Sequence, residues 1–275
     1  ITKYDKCMVL VDNNISQNYS EILDILKNEY NFIICQIPSS EACKSIEMVK
    51  YITNEMLENE LTRKSCLVSM GGGVIGDLGG FSSSIFMRGI EHILIPTSLL
   101  AMVDSSTGGK TAVDTYYGKN LLGSFSMPSH ILINVTFLET LPDIEFSNGM
   151  AEIIKMASTS NITLWNKLQN YNITTLKLNP DVLCDIIKLS INTKYTIIEQ
   201  DPNDNKGIRN ILNFGHTIGH GIEAVSGISH GKSVAIGMSL ETKLSVNNTL
   251  ITPFKIRHQI LTCLRNYNLP TDLES

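Results

Sequence analysis

This chain of 275 residues has no stretch long and apolar enough to span a bilayer. Its longest apolar run, ILIPTSLLAMV at 93–103, is interrupted by Pro96 and falls well short of the roughly 20 residues that a membrane helix needs. There is no CxxC pair either: Cys7, Cys35, Cys43, Cys66, Cys184 and Cys263 are scattered, which leaves no thiolate zinc site and favours reduced thiols in the cytoplasm over a disulfide framework. Arginine is scarce and the net charge is −5, which argues against nucleic acid or an anionic membrane as the main partner. No signal peptide, repeat or low-complexity segment stands out, and the start at Ile1 rather than Met leads us to expect that the polypeptide begins further upstream. With 43% hydrophobic and 18% charged residues, what remains is a globular chain able to bury a large core.

Two halves follow different periods. From residue 7 to about 135, short Val- and Ile-rich runs (CMVLVD at 7–12, NFIICQIP at 31–38, CLVSM at 66–70, then HILIP and HILINV) alternate with helical patterns such as SEILDILKNEY and SIEMVKYITNEMLENE. That alternation predicts a mainly parallel α/β sheet with ligands beyond the carboxyl ends of its strands. After TLPD at 140–143, apolar residues recur at three-and-four spacing over 146–160, 163–172, 180–200, 210–226, 232–247 and 253–267. The second half is therefore expected to be all-helical, with a boundary near residue 142.

Gly71-x-Gly73-x-x-Gly76 directly follows a predicted strand and precedes a helical pattern, the setting in which glycines bring backbone N–H groups close to a pyrophosphate. A tight strand-to-helix turn without a ligand is the plainer alternative, and here the glycines follow the third strand rather than the first. Polar residues at successive strand ends, Asp12 and Asn14, then Glu41 and Lys44, could bind ribose hydroxyls, or act as helix caps and solvated turns. PTSLLAMVDSSTGGKTAVDTYYGKNLLGSF gathers Asp104, Lys110, Lys119 and Asn120 among small residues. SSTGGKT reads as an anion-binding or simply mobile loop, but not as a Walker P-loop, which would need a glycine at the position of Asp104.

Three of the six histidines crowd into RNILNFGHTIGHGIEAVSGISHGK at 209–232. On a helix, His216 and His220 share a face. The HxxxH skeleton of zinc hydrolases also needs a glutamate after the first histidine, where this chain has Thr217, so a protease reading fails. His230 could add a ligand, and Glu152, acidic on an otherwise apolar helix, is the best carboxylate candidate.

Taken in order, GGGVIGDLGGF, FMRG, PTSLLAMVDSSTGGKTAVD, GKNLLGSF, TFLETLP, NGMAEIIK and RNILNFGHTIGHGIEAV closely resemble the 3-dehydroquinate synthase family, from about residue 7 to LPTDLES. NGMAEIIKMAS and LRNYNLPTDL look most like the synthase domain of the fungal pentafunctional arom polypeptide. The resemblance implies a Rossmann-like NAD-binding α/β domain at 1–142 and a helical metal- and substrate-binding domain at 143–275. It implies a homodimeric, NAD- and zinc-dependent lyase of aromatic amino acid biosynthesis. Such an enzyme converts 3-deoxy-D-arabino-heptulosonate 7-phosphate to 3-dehydroquinate and phosphate by transient oxidation, phosphate elimination, re-reduction, ring opening and aldol closure. Residue by residue, the metal would be held by Glu152, His216 and His230, and His220 would assist proton transfer near the phosphate. Asp104 and Lys155 would hold ring hydroxyls, Lys194 and Arg209 the carboxylate, and Lys110, Asn120 and Asn213 the phosphate, with Arg88 reaching in from a second subunit. NAD would touch Asp12, Asn14, Glu41, Lys44, Gly72, Gly73, Val74, Asp77, Thr97, Ser98, Lys119, Phe137, Thr140 and Asn148.

Some positions depart from the family pattern. The glutamate of the family's DExExG segment is replaced by Asp204 or Asn205, and its HGE reads His230-Gly231-Lys232, a cation beside the expected metal. An N-terminal β region and a C-terminal lysine segment are also missing, so both domains are expected to be incomplete. Another sugar-phosphate cyclase, a zinc polyol dehydrogenase, or a non-catalytic nucleotide-binding or assembly domain are the alternatives.

Overall fold

The computed structural model describes residues 3–38, 40–201, 205–247 and 254–273. The chain divides into two compact units, Ile1–Thr140 and Leu141–Ser275.

The first unit is built on a parallel sheet of β1 (Cys7–Asp12), β2 (Ile33–Ile37), β3 (Cys66–Gly71), β4 (Glu91–Pro96) and the two-residue β7 (His130–Ile131), in the order β2-β1-β3-β4-β7. Both β1 and β3 are buried along their whole length, as expected of parallel strands covered on both faces, and this explains why their composition is mostly apolar instead of alternating. Register places Val9 beside Ile34 on one side and Val68 on the other, and Val68 beside Ile93. Met8, Leu10, Ile37, Leu67, Ile75 and Leu78 form the heart of the core, each contributing about 1.5–3 kcal/mol by leaving water. Helices α1 (Asn13–Asn18), α2 (Ser20–Tyr30), α3 (Ile46–Glu58) and α4 (Gly73–Ile85) connect the strands. The chain runs outward from β1 to β2 and then returns to the other side of β1 for β3, so the strand order reverses between β1 and β3. At such a switch point the carboxyl ends leave a crevice, and the glycine-rich turn opens on it.

The glycines of that turn have separate jobs. A Cβ on Gly79 would lie 1.8 Å from Ser69 Oγ, and one on Gly80 2.4 Å from Thr111 Cγ2, whereas one on Gly76 would make a 3.4 Å contact with Leu94. The close seating of α4 on the sheet therefore rests on Gly79 and Gly80 more than on the third glycine of the motif.

Two expectations need correction. Of the segment read as a loop, only residues 106–109 lack regular structure: Ala101–Ser105 form a π-helical turn, and β5 (Lys110–Thr115) pairs antiparallel with β6 (Gly118–Phe125), with an irregularity between Val113 and Thr115. Six of the eight β6 residues are exposed, so the apolar alternation that announces a half-buried strand is absent. The strand expected from HILINV is also cut short, because pairing with β4 stops at Ile131.

The second unit is helical, as expected, with α5 (Asp143–Ser160), α6 (Ile162–Leu168), α7 (Ile173–Lys177), α8 (Pro180–Gln200), α9 (His216–Ser226), α10 (His230–Asn247) and α11 (Phe254–Asn266). Every residue of α5 from Phe146 to Ala157 is buried, so the helix is surrounded on all sides, and its polar members Asn148, Glu152 and Lys155 lie in the interior. The single helix predicted over 210–226 is instead a 3-10 turn, Ile208–Asn213, followed by α9. The break falls at Gly215, whose φ of +78° is a conformation that only glycine adopts freely. Backbones touch at the helix crossings: a Cβ on Gly219 would lie 2.9 Å from Ser233 O, on Gly237 1.9 Å from Gly215 O, and on Gly231 2.5 Å from Asn148 Cα. On α10, Glu241 accepts hydrogen bonds from the Gly215 N–H at 2.8 Å and the Ile218 N–H at 3.5 Å. A carboxylate there complements the positive end of α9. Among the described residues no helix is long and apolar enough to cross a membrane.

Candidate active site

Three elements of the helical unit converge on one carboxylate. Glu152 is completely buried in the middle of α5, and its Oε1 lies 3.3 Å from Nε2 of His216, the first residue of α9, and 3.3 Å from Nε2 of His230, the first residue of α10. Both separations are long for an N–H···O hydrogen bond. They match the edge of a tetrahedral shell, about 3.3–3.4 Å when the metal–ligand bonds are 2.0–2.1 Å. One carboxylate oxygen and two imidazole nitrogens, all within 4.8 Å of one another, form a donor set suited to zinc and leave a position open for a substrate oxygen. A divalent cation therefore fits these residues.

The electrostatics follow from this packing. Burial raises the Glu152 carboxyl, but the Lys155 ammonium and the two imidazoles outweigh it and hold that group well below the usual carboxylate range. Lys155, one turn further along α5, is itself buried and ion-paired with Glu152 Oε2. Burial pushes His230 down, yet its hydrogen bonds with Glu152 and Glu223 prevail and raise it to about 10, which marks a ring held by two carboxylates when no cation is bound. His220 stacks edge-on against His216 with 5.1 Å between ring centroids. It is lowered by burial and by the imidazoles of His216 and His230, which keeps it neutral near pH 7 and able to accept a proton.

Other expected residues of this unit occupy distinct places. Asn148 is buried, donates to Glu145 Oε2 at 3.2 Å and accepts from Ser229 Oγ at 2.7 Å, tying α5 to the residue before His230. Lys194 is buried on α8. Arg209 and Asn213 lie on the 3-10 turn, and Asn213 borders an open hollow with Asn210, Phe214, Thr217 and Glu241. Lys232 is half-buried in the first turn of α10. Asp204 lies outside the described residues. Asn205 is described, and its N–H donates to Asp201 Oδ1 at 2.9 Å.

In the α/β unit, Gly72, Gly73, Asp77, Ser105 and Lys110 border a narrow cleft. Val74 lies in the first turn of α4, and Gly72, its N-cap, offers no side chain to the leading N–H groups, leaving them for an anion. The Thr97 N–H donates to Gly71 O at 3.0 Å, and Ser98 packs beside Gly72. Asp104 is half-buried within the π-helical turn. At the end of β1, Asp12 accepts from the Ile15 N–H at 2.9 Å, so the helix-cap role is realised there. Asn14 follows it in the first turn of α1, and Glu41 is exposed. Lys44, by contrast, is no solvated turn residue: it is buried, 2.5 Å from Asp77 Oδ2 and 2.6 Å from Asn120 Oδ1. Burial raises the Asp77 carboxyl in spite of this neighbour. Asn120 has φ +57° and donates its N–H to Asp114 Oδ1 at 2.9 Å, and Lys119 beside it is exposed. Tyr19 joins Phe137, 4.9 Å away between ring centroids, to Thr140, 2.9 Å from its hydroxyl. Exposed Arg88 follows Met87, and both adopt left-handed backbone, φ +70° and +47°.

Two acidic residues escaped the sequence reading, Glu223 and Glu241. A signal for the first was present, because His216, His220 and Glu223 fall at i, i+4 and i+7 and so share one helix face. Glu241 shows itself only through its contact with α9.

A parallel sheet with a glycine-rich turn at its switch point, together with a helical unit holding a carboxylate-and-two-histidine set, defines a nucleotide-binding, metal-dependent enzyme. Residues 34–148 match the family described as 3-dehydroquinate synthase N-terminal, and residues 149–275 match 3-dehydroquinate synthase C-terminal. A 3-dehydroquinate synthase of Clostridium botulinum is 40% identical over 279 residues, covering 100% of this chain and 79% of that protein. The pentafunctional AROM polypeptide of Malassezia globosa is also 40% identical, over 267 residues; the match takes in 88% of this chain but only 16% of the polypeptide's length. Among solved structures, the 2-epi-5-epi-valiolone synthase ValA of Streptomyces hygroscopicus, with NAD+ and Zn2+ bound, superimposes with a TM-score of 0.88 at 26% identity, covering 97% of this chain and 75% of that one. The chain belongs to the 3-dehydroquinate synthase family.

Proposed function

We propose that this chain converts 3-deoxy-D-arabino-heptulosonate 7-phosphate to 3-dehydroquinate and phosphate, using NAD and a divalent metal, with zinc as the best fit. The observation that carries this reading is the convergence of Glu152, His216 and His230 at shell-edge spacing inside a buried helix bundle. When bound, NAD supplies a reversible hydride acceptor, and the metal supplies Lewis acidity and a template for substrate hydroxyls. The chain's own residues do the rest. Gly72, Gly73, Val74 and the uncapped start of α4 receive the cofactor's pyrophosphate, and Asp12, Asn14, Glu41, Lys44, Asp77, Thr97, Ser98, Lys119, Phe137, Thr140 and Asn148 complete its setting. Lys194 and Arg209 hold the substrate carboxylate, while Lys110, Asn120 and Asn213 hold its phosphate, a cationic and amide set matched to a dianion. Asp104 and Lys155 orient ring hydroxyls, and neutral His220 takes up or returns a proton near the leaving phosphate. Asp204 or Asn205 stands where the family's acidic residue would assist, and Lys232 adds a positive charge at the start of α10.

Arg88 completes the phosphate site of a partner copy in a homodimer, and its exposed left-handed backbone is the kind of locally costly conformation that persists where function requires it. The chain works in the cytoplasm, and the AROM relative makes fusion to further shikimate-pathway domains the fitting wider context. A sugar-phosphate cyclase acting on a substrate without a carboxylate is the second reading, favoured by the likeness to ValA. Phosphate release separates the two. Release from the heptulosonate phosphate that needs NAD and stops with a chelator supports the synthase. Release only from a heptulose phosphate lacking the carboxylate supports the cyclase, and release from neither removes both readings.

A further inference from the structure

His230 is gripped on both sides of its ring. Nε2 faces Glu152 at 3.3 Å, and Nδ1 lies 3.1 Å from Oε2 of Glu223 on α9. His216 is gripped in the same sense by different means: Nε2 faces Glu152 at 3.3 Å, and Nδ1 lies 3.3 Å from the Phe214 carbonyl oxygen. Both ligand rings therefore turn Nε2 towards the metal position and keep Nδ1 for an acceptor. His216 is held by the backbone that leads into its own helix, but His230 opens α10 and has no such preceding carbonyl in play. A carboxylate from the neighbouring helix does that work, and its side chain is 16% exposed, so it is largely withdrawn from water.

We infer that Glu223 is a positioning residue for the metal centre: it fixes the His230 tautomer with the proton on Nδ1 and presents Nε2 to the cation. This inference rests on the proposed metal set. An imidazole that donates to a carboxylate is a more basic and better oriented ligand, and such partners typically account for a 10–100-fold change in metal affinity. Charge adds to the effect. The buried Lys155 ammonium competes with a cation for Glu152, and the negative charge of Glu223 offsets it on the opposite side of His230.

The same residues form a rival set, since His220, Glu223 and His230 also bring donor atoms within 4.8 Å. On that alternative Glu223 would be a ligand and Glu152 would not. The experiment is zinc affinity, measured by competition with a chromophoric chelator on the full chain stripped and reloaded with Zn2+, together with the visible spectrum of the Co2+-loaded protein. Glu223→Ala is expected to weaken zinc 10–100-fold and to alter the cobalt spectrum while still binding one ion. Glu223→Gln, which keeps an acceptor and removes the charge, should fall between it and the parent. Glu152→Ala should bind no ion tightly. If both Glu223 variants keep parental affinity and spectrum while Glu152→Ala loses the ion, the positioning role is wrong and the metal set stands. If Glu152→Ala keeps the ion and Glu223→Ala loses it, the rival set is correct and both readings fall. Should Glu223→Ala fail to fold, Glu223→Gln decides by the same criteria.

Discussion

Replacing His92 by Gln should make the protein markedly less sensitive to acid. His92 on β4 is buried beneath Gly79 and Gly80 of α4, with Nε2 2.9 Å from Ser69 Oγ and Nδ1 without a hydrogen-bond partner among the described residues. Protonation would place a second N–H and a full charge in this apolar setting, so burial lowers its pKa from 6.5 to about 4. The unfolded chain takes up the proton near pH 6.5 and the folded chain does so only near 4, so stability is intact above 6.5 and is lost as pH falls through that window. At pH 5 the unfolded state gains roughly 30-fold in statistical weight relative to pH 8, about 2 kcal/mol. Gln can still donate to Ser69 but does not titrate. Urea unfolding of parent and His92→Gln at pH 8 and pH 5 gives four stabilities, and their double difference cancels the other titrating groups. A double difference near 2 kcal/mol is expected, with the parent losing more. A value indistinguishable from zero would show that His92 is charged in the fold or titrates alike in both states, and the burial argument would fail.

Gly79→Ala should cost about 1–3 kcal/mol, because its Cβ would lie 1.8 Å from Ser69 Oγ, while Gly76→Ala should be close to neutral; equal melting temperatures for the two would refute this division. Lys44→Met leaves Asp77 buried without its ammonium and should cost about 3 kcal/mol in urea, with much of the loss recovered in Lys44→Met/Asp77→Leu. His220→Ala should retain zinc by elemental analysis but lose turnover, whereas His216→Ala should lose the metal; zinc loss from the His220 variant would give that ring a ligand's role. If Arg88 serves a partner's site, inactive Arg88→Ala and Lys110→Ala proteins should recover part of the activity when mixed, and verified mixed dimers that stay inactive would contradict it.

Regular periodicity made most of the architecture readable. The mostly apolar runs of β1 and β3 and the three-and-four spacing of α8 and α11 report directly on which faces are buried, whereas α10 is buried at every position from Ser233 to Ser239 and shows no single face. What escaped was structure specified by contact. The β5–β6 hairpin has too little buried surface to stamp an alternation on its sequence, and the start of α9 depends on one left-handed glycine pressed against α10. Histidine clustering pointed to metal, and Glu152 stood out as an acid among apolar neighbours. Lys44 could not be distinguished from a surface lysine, because the two partners that justify its burial, Asp77 and Asn120, are far away in sequence. Glu223 was readable in principle from its helix face, but its function depends on His230, which lies beyond the end of that helix.

The glycine crossings among α5, α9 and α10 bear on how closely the donor side chains can approach one another. Main chain rests on main chain at Gly219, Gly231 and Gly237, so the helix axes cannot draw together around a small cation. Any adjustment of bond length falls to the torsions of three side chains, two of them at the first residue of a helix. A side chain larger than hydrogen at any of these three positions would push the helices apart and separate Glu152 from His216 and His230.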